Sequence, residues 1–428
     1  MNNFKPTEYK LLNVADGRSF EDDGWVLSDP QSQSPSLVRA IYNKKKLDIK
    51  PDNWGFYRFA DWLPVNHLLG GSATTITYKS EKLSKKLGID NLYIAFSGYW
   101  PQKGAYMTTC SFKETEAYSV CGRLPKDEKR ILVIASAGNT ARAFAKVCSE
   151  NKIPVLIAIP YDNLNALWFD KPLDECVKII CSPAGSDYFD AISLAQVAVK
   201  SDKFLDEGGA KNVARRDGMG TTLLSAAAHI GRIPDVYVQA IGSGTGGIAA
   251  WEASIRLAED GSWGKNNMQL LLVQNIPFTP MYDAWNAKSR TLLPFDDEDA
   301  RIKAVQIDAK VLSNRRPPYP IAGGVYDALV ASNGIMEIAD NNDIVTYRKM
   351  FEEYEGVDIN PAAAIALAGL DKAIRKGAIA KDKVIVLNIT GGGENLFKSE
   401  KQIYTPTPSL VASANDEGIL EKIIALFE

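Results

Sequence analysis

One glycine-rich loop of the sequence has the composition of a phosphate-binding site. Residues 242–247, GSGTGG, follow the strand-like run VYVQAI and precede the helical run IAAWEASIRLAE. Glycines let successive backbone N–H groups converge at a helix N-terminus, where the helix dipole adds positive potential. The loop lacks lysine, and the next strand-like run ends in Gln274 and Asn275 rather than an acid, so a single phosphate monoester fits better than a dinucleotide or nucleoside triphosphate. The residues expected to hold the phosphate are Gly242, Ser243, Gly244, Thr245 and Gly246.

Two other loops also follow strand-like runs. The turn Ser136-Ala137-Gly138-Asn139 offers backbone N–H groups at a helix N-terminus and a side-chain amide, which suit a carboxylate or a phenolate-like oxygen. An ordinary Asn/Gly turn with a threonine cap explains the same residues equally well. In TGGGEN, residues 390–395, the glycine triplet permits close approach of a flat ligand, and Thr390 would present a hydroxyl at the strand end. A purely structural turn is again the alternative.

A lysine completes this set of candidate residues. Lys113 follows a hydroxyl-rich turn, TTCS, and precedes a helix-like start with acidic residues in its first turn. A lysine taken alone is usually a solvated surface residue. Together with a phosphate cradle, an amide for a ring oxygen and a hydroxyl for a ring nitrogen, however, it supplies the amine for an imine. This combination predicts pyridoxal 5'-phosphate (PLP) as the cofactor, and no metal site is expected.

The elements that must position these residues follow an alternating pattern. From about residue 83 onward, short β-branched runs alternate with amphipathic helical runs, as in ILVIAS before GNTARAFAKVCSEN and VYVQAI before the glycine-rich loop. Continuous apolar strands between such helices are typical of parallel sheets covered on both faces. The sequence therefore predicts a doubly wound α/β architecture, with ligands at the carboxyl ends of the strands.

The composition excludes several classes of protein. Lys and Arg, 49 in all, nearly balance 52 Asp and Glu, and the pI is about 5.7, so nothing favours nucleic acid as a partner. No run approaches the roughly 18 apolar residues of a membrane span, and the N-terminus has no apolar leader segment, so a cytoplasmic protein is expected. Five scattered cysteines are typical of reduced thiols, and two histidines leave little material for a histidine-based metal site or triad.

Taken together, the motifs resemble those of a known family. Order and spacing over residues 55–395 are similar to PLP enzymes of the tryptophan-synthase β fold, called fold type II, and among them to threonine synthase and its relatives. The matching segments are GFYRFADWLPV (55–65), GGSATTITYKSEKLSKKLGIDNLYI (70–94), TCSFKE (109–114), ASAGNTARAFA (135–145), ARRDGMGT (214–221), GSGTGG (242–247) and TGGGEN (390–395).

The resemblance implies a fold, a domain division and roles for the candidate residues. It implies two doubly wound α/β domains with the cofactor in the cleft between them. Lys113 would carry PLP as a Schiff base, Asn139 would bond the ring hydroxyl oxygen, Gly242 to Gly246 would hold the phosphate, and Thr390 would face the pyridine nitrogen. The expected divisions are a loop-rich extension (1–60), a large phosphate-binding domain (61–105 and 215–400), a smaller mobile domain (106–214), and a linker with a C-terminal helix (401–428).

Departures from the family pattern concern the substrate side. Cys110 stands where the family has glycine in T-G-S-F-K-D-R-G, and residues 114–116 are E-T-E instead of D-R-G. Thr75 and Ile76 stand at the T-P positions of E-G-x-T-P-L, and the N-terminal segment has no cysteine for the zinc element common in this branch. A retained cofactor site with altered flanks resembles the relatives in methanogens that make L-cysteate from O-phosphoserine and sulfite, for coenzyme M biosynthesis.

The sequence offers candidates for the substrate site and alternatives for the reaction. The substrate residues proposed are Ser136, Ala137, Gly138, Thr75 and Thr108, with Arg216 as a further candidate. Threonine synthase itself, which acts on O-phosphohomoserine and water, and a non-catalytic PLP-binding homologue are the alternatives. A dehydrogenase would leave Lys113 and Thr390 without a role. The apolar run LLSAAAHI and the habits of the family favour a homo-oligomer.

Overall fold

The computed structural model describes residues 4–136 and 138–428, and its largest element is a six-stranded sheet. Five of its strands are parallel, and the edge strand β4 runs antiparallel to β5. In spatial order the strands are β14 (Ile335–Ala339), β13 (Gln269–Asn275), β12 (Val236–Ala240), β15 (Val384–Ile389), β5 (Asn91–Phe96) and β4 (Ile76–Lys79). This is the buried parallel sheet that the continuous apolar runs predict.

Alternation along each central strand gives this sheet two separate cores. Val236 and Val238 of β12 point into one apolar core, and Tyr237 between them points into the other. Because side chains alternate across a strand, an uninterrupted apolar run serves both faces. The helices that cover the sheet are α1 (Lys82–Leu87), α5 (Val213–Ile230), α6 (Thr245–Asp260), α7 (Pro280–Asn286), α8 (Asp297–Gln306), α9 (Val325–Ala331), α10 (Asn341–Glu355) and α11 (Pro361–Arg375).

A second, five-stranded parallel sheet is built in the same way. Val155, Ile157 and Ile159 face one core, whereas Leu156 and Ala158 face the other. Its strands, in spatial order, are β11 (Phe204–Asp206), β8 (Ile131–Ala135), β9 (Val155–Pro160), β10 (Val177–Ser182) and β16 (Leu410–Val411). Its helices are α2 (Lys113–Arg123), α3 (Asn139–Asn151), α4 (Tyr188–Val199) and α13 (Ile419–Ala425).

Both chain ends are more regular than the sequence predicts. The extension expected to be loop-rich contains an antiparallel sheet of β1 (Tyr9–Asn13), β2 (Ser19–Phe20) and β3 (Val38–Tyr42). It forms because Leu11, Val38 and Ala40 are buried in the core beside α5 and α6. At the other end, the expected linker supplies β16, which pairs with β10. The remaining elements are β6 (Tyr99–Trp100), β7 (Ala105–Tyr106), α12 (Glu394–Glu400) and 3₁₀ turns at Asp52–Trp62, Pro101–Lys103, Tyr161–Ala166, Gly209–Lys211 and Lys310–Leu312.

The packing of α5 bears on two expectations from the sequence. The run LLSAAAHI lies in α5, where Leu223, Leu224 and Ala227 are buried inside the chain, so the run no longer argues for a homo-oligomer, which stays a prediction. The expected domain boundary at 214/215 falls inside α5. In the described part of the chain, no helix combines the length and the apolar character needed to cross a membrane.

Candidate active site

Two adjacent cavities lie between the ends of the two large sheets. One encloses about 100 Å³ and the other about 70 Å³. Lys113, Asn139 and Ser243 line both of them. These residues come from α2, from the start of α3 and from the loop after β12, so the site joins both sheets. Loops that leave the carboxyl ends of parallel strands are where ligands bind in α/β proteins.

Lys113 places its amine inside this site. It is the first residue of α2, and its side chain is 19% exposed. The Nζ atom donates a hydrogen bond to Glu116 Oε2 at 2.8 Å and lies 5.1 Å from the centroid of the Phe112 ring. Just before it, Cys110 has a φ of 50°, a backbone conformation that favours glycine. The residue that replaces the family's glycine therefore keeps a glycine-like backbone.

Lys113 belongs to a chain of alternating charges that runs away from the cavity. Glu116 is fully buried, and its Oε1 lies 3.2 Å from Arg215 Nη1. Arg215 in turn makes two contacts to Glu207, including a 2.8 Å hydrogen bond from Nε to Oε1. Burial alone would raise the pKa of Glu116, but the positive charges of Arg215 and Lys113 outweigh it and hold that pKa below its usual value. Glu116 is therefore an ionised carboxylate beside the lysine.

The pKa of Glu207 moves in the opposite direction. Its burial raises the pKa, and the nearby guanidinium of Arg215 only partly offsets this effect. For Arg215, burial works against the charged form, yet the two carboxylates raise its pKa above the ordinary value. Arg215 therefore stays a cation at the wall of the larger cavity, which it lines together with Tyr188 and Ser313.

The glycine-rich loop lines the smaller cavity with all five of its predicted residues, Gly242, Ser243, Gly244, Thr245 and Gly246. It ends at the N-terminus of α6, a helix of 16 residues. Gly244 has a φ of 79°, and a Cβ there would lie 2.3 Å from Val325 Cγ2. Replacing Gly244 by aspartate would therefore disturb the fold as well as a bound phosphate. At Gly246 a Cβ would lie 2.2 Å from Gln239 Nε2, so packing also requires glycine there.

The predicted turn before α3 is partly occupied with capping its own helix. Ser136 Oγ accepts hydrogen bonds from the backbone N–H groups of Gly138 and Ala141, each at 3.0 Å. Asn139 Oδ1 accepts from Arg142 Nη2 at 3.0 Å, which leaves the amide NH₂ group of Asn139 as its donor toward a ligand. Both Ser136 and Asn139 line the larger cavity. Ala137, also predicted here, lies outside the described residues.

Thr390 meets the lysine segment from the other sheet. It follows β15, is buried, and its carbonyl oxygen accepts a hydrogen bond from the backbone N–H of Phe112 at 2.9 Å. Thr390 lines the smaller cavity together with Lys113 and the glycine-rich loop. The structure thus brings Lys113, Asn139, Thr390 and the loop into one place, as the sequence predicts for a PLP site.

Three predicted substrate residues do not line these cavities. Thr75 is buried, and its hydroxyl lies 2.8 Å from Ser97 Oγ. Thr108 is absent from the lining of both cavities. Arg216 is fully buried against α6, where its Nε donates to Glu252 Oε2 at 3.0 Å. Its neighbour Arg215, which is not among the predicted site residues, lines the larger cavity.

The arrangement fits the chemical groups of PLP. The N-terminus of α6 beside the smaller cavity suits a phosphate dianion, and the Lys113 amine lies close enough to form an imine there. The neutral hydroxyl of Thr390 and the amide of Asn139 are the remaining polar groups that a pyridine ring with a phenolic oxygen requires. When bound, PLP would supply an electron sink for bonds at an amino acid's α-carbon.

Comparison with known proteins agrees with this geometry. A family model described as "Pyridoxal-phosphate dependent enzyme" matches residues 69–391. In solved structures, the chain is similar to maize serine racemase (TM-score 0.58, 18% identity, 76% of this chain and 91% of that chain) and to serine racemase from Dictyostelium discoideum (TM-score 0.54, 16% identity, 75% and 92%). At these identities the likeness concerns the fold, and it confirms the fold type II architecture.

Curated relatives are much more similar in sequence. The cysteate synthase of Methanosarcina acetivorans is 46% identical over 90% of this chain and 93% of the relative. That of Methanosarcina barkeri is 45% identical over 96% and 98%, and that of Methanocella arvoryzae 44% over 98% and 100%. Such identity over nearly the whole of both chains confirms a PLP-dependent enzyme. The chain belongs to the cysteate synthase family of pyridoxal-phosphate-dependent enzymes.

Proposed function

We propose that this enzyme carries out a β-replacement that converts O-phospho-L-serine and sulfite into L-cysteate and phosphate, in the cytoplasm, as a step of coenzyme M biosynthesis. The observation that carries the proposal is the joining of the Lys113 amine, the glycine-rich loop and Thr390 in one site of a chain related to cysteate synthases over almost its full length. In the reaction the C–O bond to phosphate at the β-carbon breaks, and a C–S bond to sulfite forms at the same carbon.

The cofactor residues proposed from the sequence keep their roles. Lys113 would hold the cofactor through its Nζ, Asn139 would donate to the ring oxygen, and the N–H groups of the 242–246 loop would bind the phosphate. Thr390 would present a neutral hydroxyl to the ring nitrogen. A hydroxyl leaves the ring a weaker electron sink than a carboxylate would, and this suits elimination of a good leaving group such as phosphate.

Lys113 would also move the substrate's α-proton. Its amine is the basic group that lines both cavities, so once released from the cofactor it can take the proton and later return it. The substrate carboxylate would bind at the N-terminus of the 13-residue helix α3, near Ser136, Gly138 and Asn139. Arg215 would add positive charge to the same wall.

A phosphate-release assay tests the proposal. The purified enzyme is given phosphoserine or phosphohomoserine, each with and without sulfite, and the products are identified by mass. We expect cysteate and phosphate from phosphoserine and sulfite. Phosphohomoserine is one methylene longer, and misfit in a polar phosphate-recognising site should cost more than the roughly 1–3 kcal/mol of a methylene in an apolar pocket. Threonine from phosphohomoserine, without cysteate from the other pair, would return the chain to threonine synthase.

Cofactor attachment is tested separately. Borohydride reduction of the holoenzyme followed by peptide mapping should place the pyridoxyl group on Lys113, because a primary amine beside a bound aldehyde condenses reversibly. A label on any other lysine would refute the assignment of the whole site. A protein that shows the cofactor band but releases no phosphate from either substrate would support the non-catalytic, PLP-binding alternative.

A further inference from the structure

The proposed reaction assigns no role to Glu116, although this residue directly contacts Lys113. It lies one helical turn after Lys113 on α2, so the two side chains share a face of the helix. Its carboxylate is fully buried, accepts the 2.8 Å hydrogen bond from Lys113 Nζ, and stands where the family pattern has glycine. A buried carboxylate is costly unless it is paired, so its place beside this amine calls for an explanation.

We propose that Glu116 is a positioning residue for Lys113, which holds the nitrogen atom of the lysine at a fixed place and stabilises the proton on it. The proposal rests on the proposed function in one respect, the role of Lys113 as the lysine that binds the cofactor and moves the α-proton. Each turnover releases the amine from the cofactor, and a free lysine side chain has several rotatable bonds. A fixed carboxylate restricts this motion, and a fixed base transfers protons more efficiently.

The surroundings of Glu116 keep its carboxylate ionised and in place. Arg215 of α5 lies 3.2 Å from the carboxylate oxygen that does not bind Lys113, and the positive charge of Arg215 helps to hold the pKa of Glu116 below its usual value. The other titratable groups on this side are Tyr188 of α4, whose pKa burial raises, and Glu207 beyond Arg215. Tyr188 is neutral and Glu207 is paired with Arg215, so the negative charge that faces Lys113 is that of Glu116.

Glu114 provides the matched control, because it is equally buried only two residues away. Its Oε1 accepts from the backbone N–H and the hydroxyl of Thr109, at 2.7 and 2.9 Å. Its Oε2 lies 3.3 Å from Lys146 Nζ, and Lys146 is also paired with Glu150. Glu114 lines neither cavity. Removing its charge therefore perturbs the buried start of α2 without touching the site.

The experiment compares holoenzymes of wild type, Glu116→Gln and Glu114→Gln. The first measurement is the pH titration of the cofactor's visible band without substrate. Because Glu116 stabilises a proton on the Lys113 nitrogen, its neutralisation should move the midpoint of this titration to lower pH by about one unit or more. Glu114→Gln should leave the midpoint within a few tenths of a unit. Equal midpoints for Glu116→Gln and wild type would overturn the proposal.

The second measurement is exchange of the substrate's α-proton in deuterated water with phosphoserine alone. We expect Glu116→Gln to slow exchange at least about tenfold and Glu114→Gln to change it less than about twofold. If Glu116→Gln does not fold, the band titration is carried out with Glu116→Asp instead. This variant keeps the negative charge but moves it away from Lys113 Nζ by one methylene. An unshifted band titration in Glu116→Asp would then overturn the proposal. A wild type that makes no cysteate would refute the proposed substrates, while the substrate-free titration would still test Glu116.

Discussion

Two consecutive arginines of α5 lie in two different parts of the molecule. Arg215 lines the larger cavity and pairs with Glu116 and Glu207, whereas Arg216 is fully buried between α5 and α6 and pairs with Glu252. Successive residues of a helix point about 100° apart, so one arginine reaches the site and the other the core. Their side-chain chemistry is the same, and only their direction separates a group at the active site from a structural one.

The two ion-pair clusters also share an electrostatic pattern. Around Arg215, the pKa of Glu116 is lowered and that of Glu207 is raised. In the cluster around Arg216, Arg256 of α6 also pairs with Asp217 of α5 at 2.7 Å; there the pKa of Glu252 is lowered and that of Asp217 is raised. In each of the four carboxyls burial acts to raise the pKa, and the balance depends on the cations nearby. A shifted pKa therefore does not by itself identify the site. Access to a cavity and contact with Lys113 do.

The largest effect is expected from replacing Lys113, which contacts the cluster around Arg215 and not the one around Arg216. Lys113→Ala should lower turnover by a factor on the order of 10³ or more, because it removes both the imine nitrogen and the proton-transfer group. The side chain borders a cavity and is not part of a packed core, so the thermal midpoint of the apo protein should change by only a few degrees. Steady-state rates and thermal unfolding measure the two quantities. Substantial turnover by Lys113→Ala would contradict the assignment.

Replacing each arginine by methionine tests the comparison directly. Arg216→Met leaves Glu252 buried without its closest partner and should lower the free energy of unfolding by about 3–5 kcal/mol, as measured by denaturant titration. The folded, cofactor-loaded fraction should keep near-normal turnover. Arg215→Met should instead lower turnover at least about tenfold, because it removes the cation from the wall of the larger cavity. It should also lower stability, because Glu207 loses its arginine partner. Low turnover in Arg216→Met together with normal turnover in Arg215→Met would contradict the placement of Arg215 at the active site and of Arg216 in the core.

A charge placed in the glycine-rich loop should have an intermediate effect. Ser243 lines both cavities and, unlike Gly244, already carries a side chain there. Ser243→Asp should weaken PLP affinity at least about tenfold, because a carboxylate would repel the phosphate dianion at short range. Ser243→Asn has nearly the same shape without the charge and should bind PLP more tightly than the aspartate variant. Equal affinities would place the phosphate elsewhere.

The smallest expected effect concerns acid stability of the apo protein. The pKa of Glu116 in the folded state lies below its unfolded value of about 4.3, so its ionised form stabilises the fold above that pH. This stabilisation is lost as the pH falls through the folded-state pKa. The difference in free energy of unfolding between wild type and Glu116→Gln should therefore be constant near neutral pH and shrink below about pH 4. A constant difference down to pH 2 would show that Glu116 keeps no depressed pKa.

The residues expected to hold the cofactor could be predicted to lie together because each carries a local signal. The glycine-rich loop and the turn that ends at Asn139 each join a strand to a helix, and Thr390 directly follows a strand. Parallel strands bring such loops to one edge of their sheet, so position along the chain predicts position in space. Thr75, Thr108 and Arg216 carried no comparable signal, and the structure places none of them in the lining of the cavities.

The sequence by itself determined the alternation of strands and helices, the loops that would hold PLP, and the family, because each depends on short runs whose pattern is read along the chain. Only the tertiary structure decided which of two adjacent arginines reaches the site, that Glu116 of α2 pairs with Arg215 of α5, and that residues 9–42 form a sheet. These features depend on contacts between segments far apart in sequence, such as α2 with α5 and β1 with the core beside α6. These long-range contacts fix the direction and burial of the side chains, and local propensity carries no information about them.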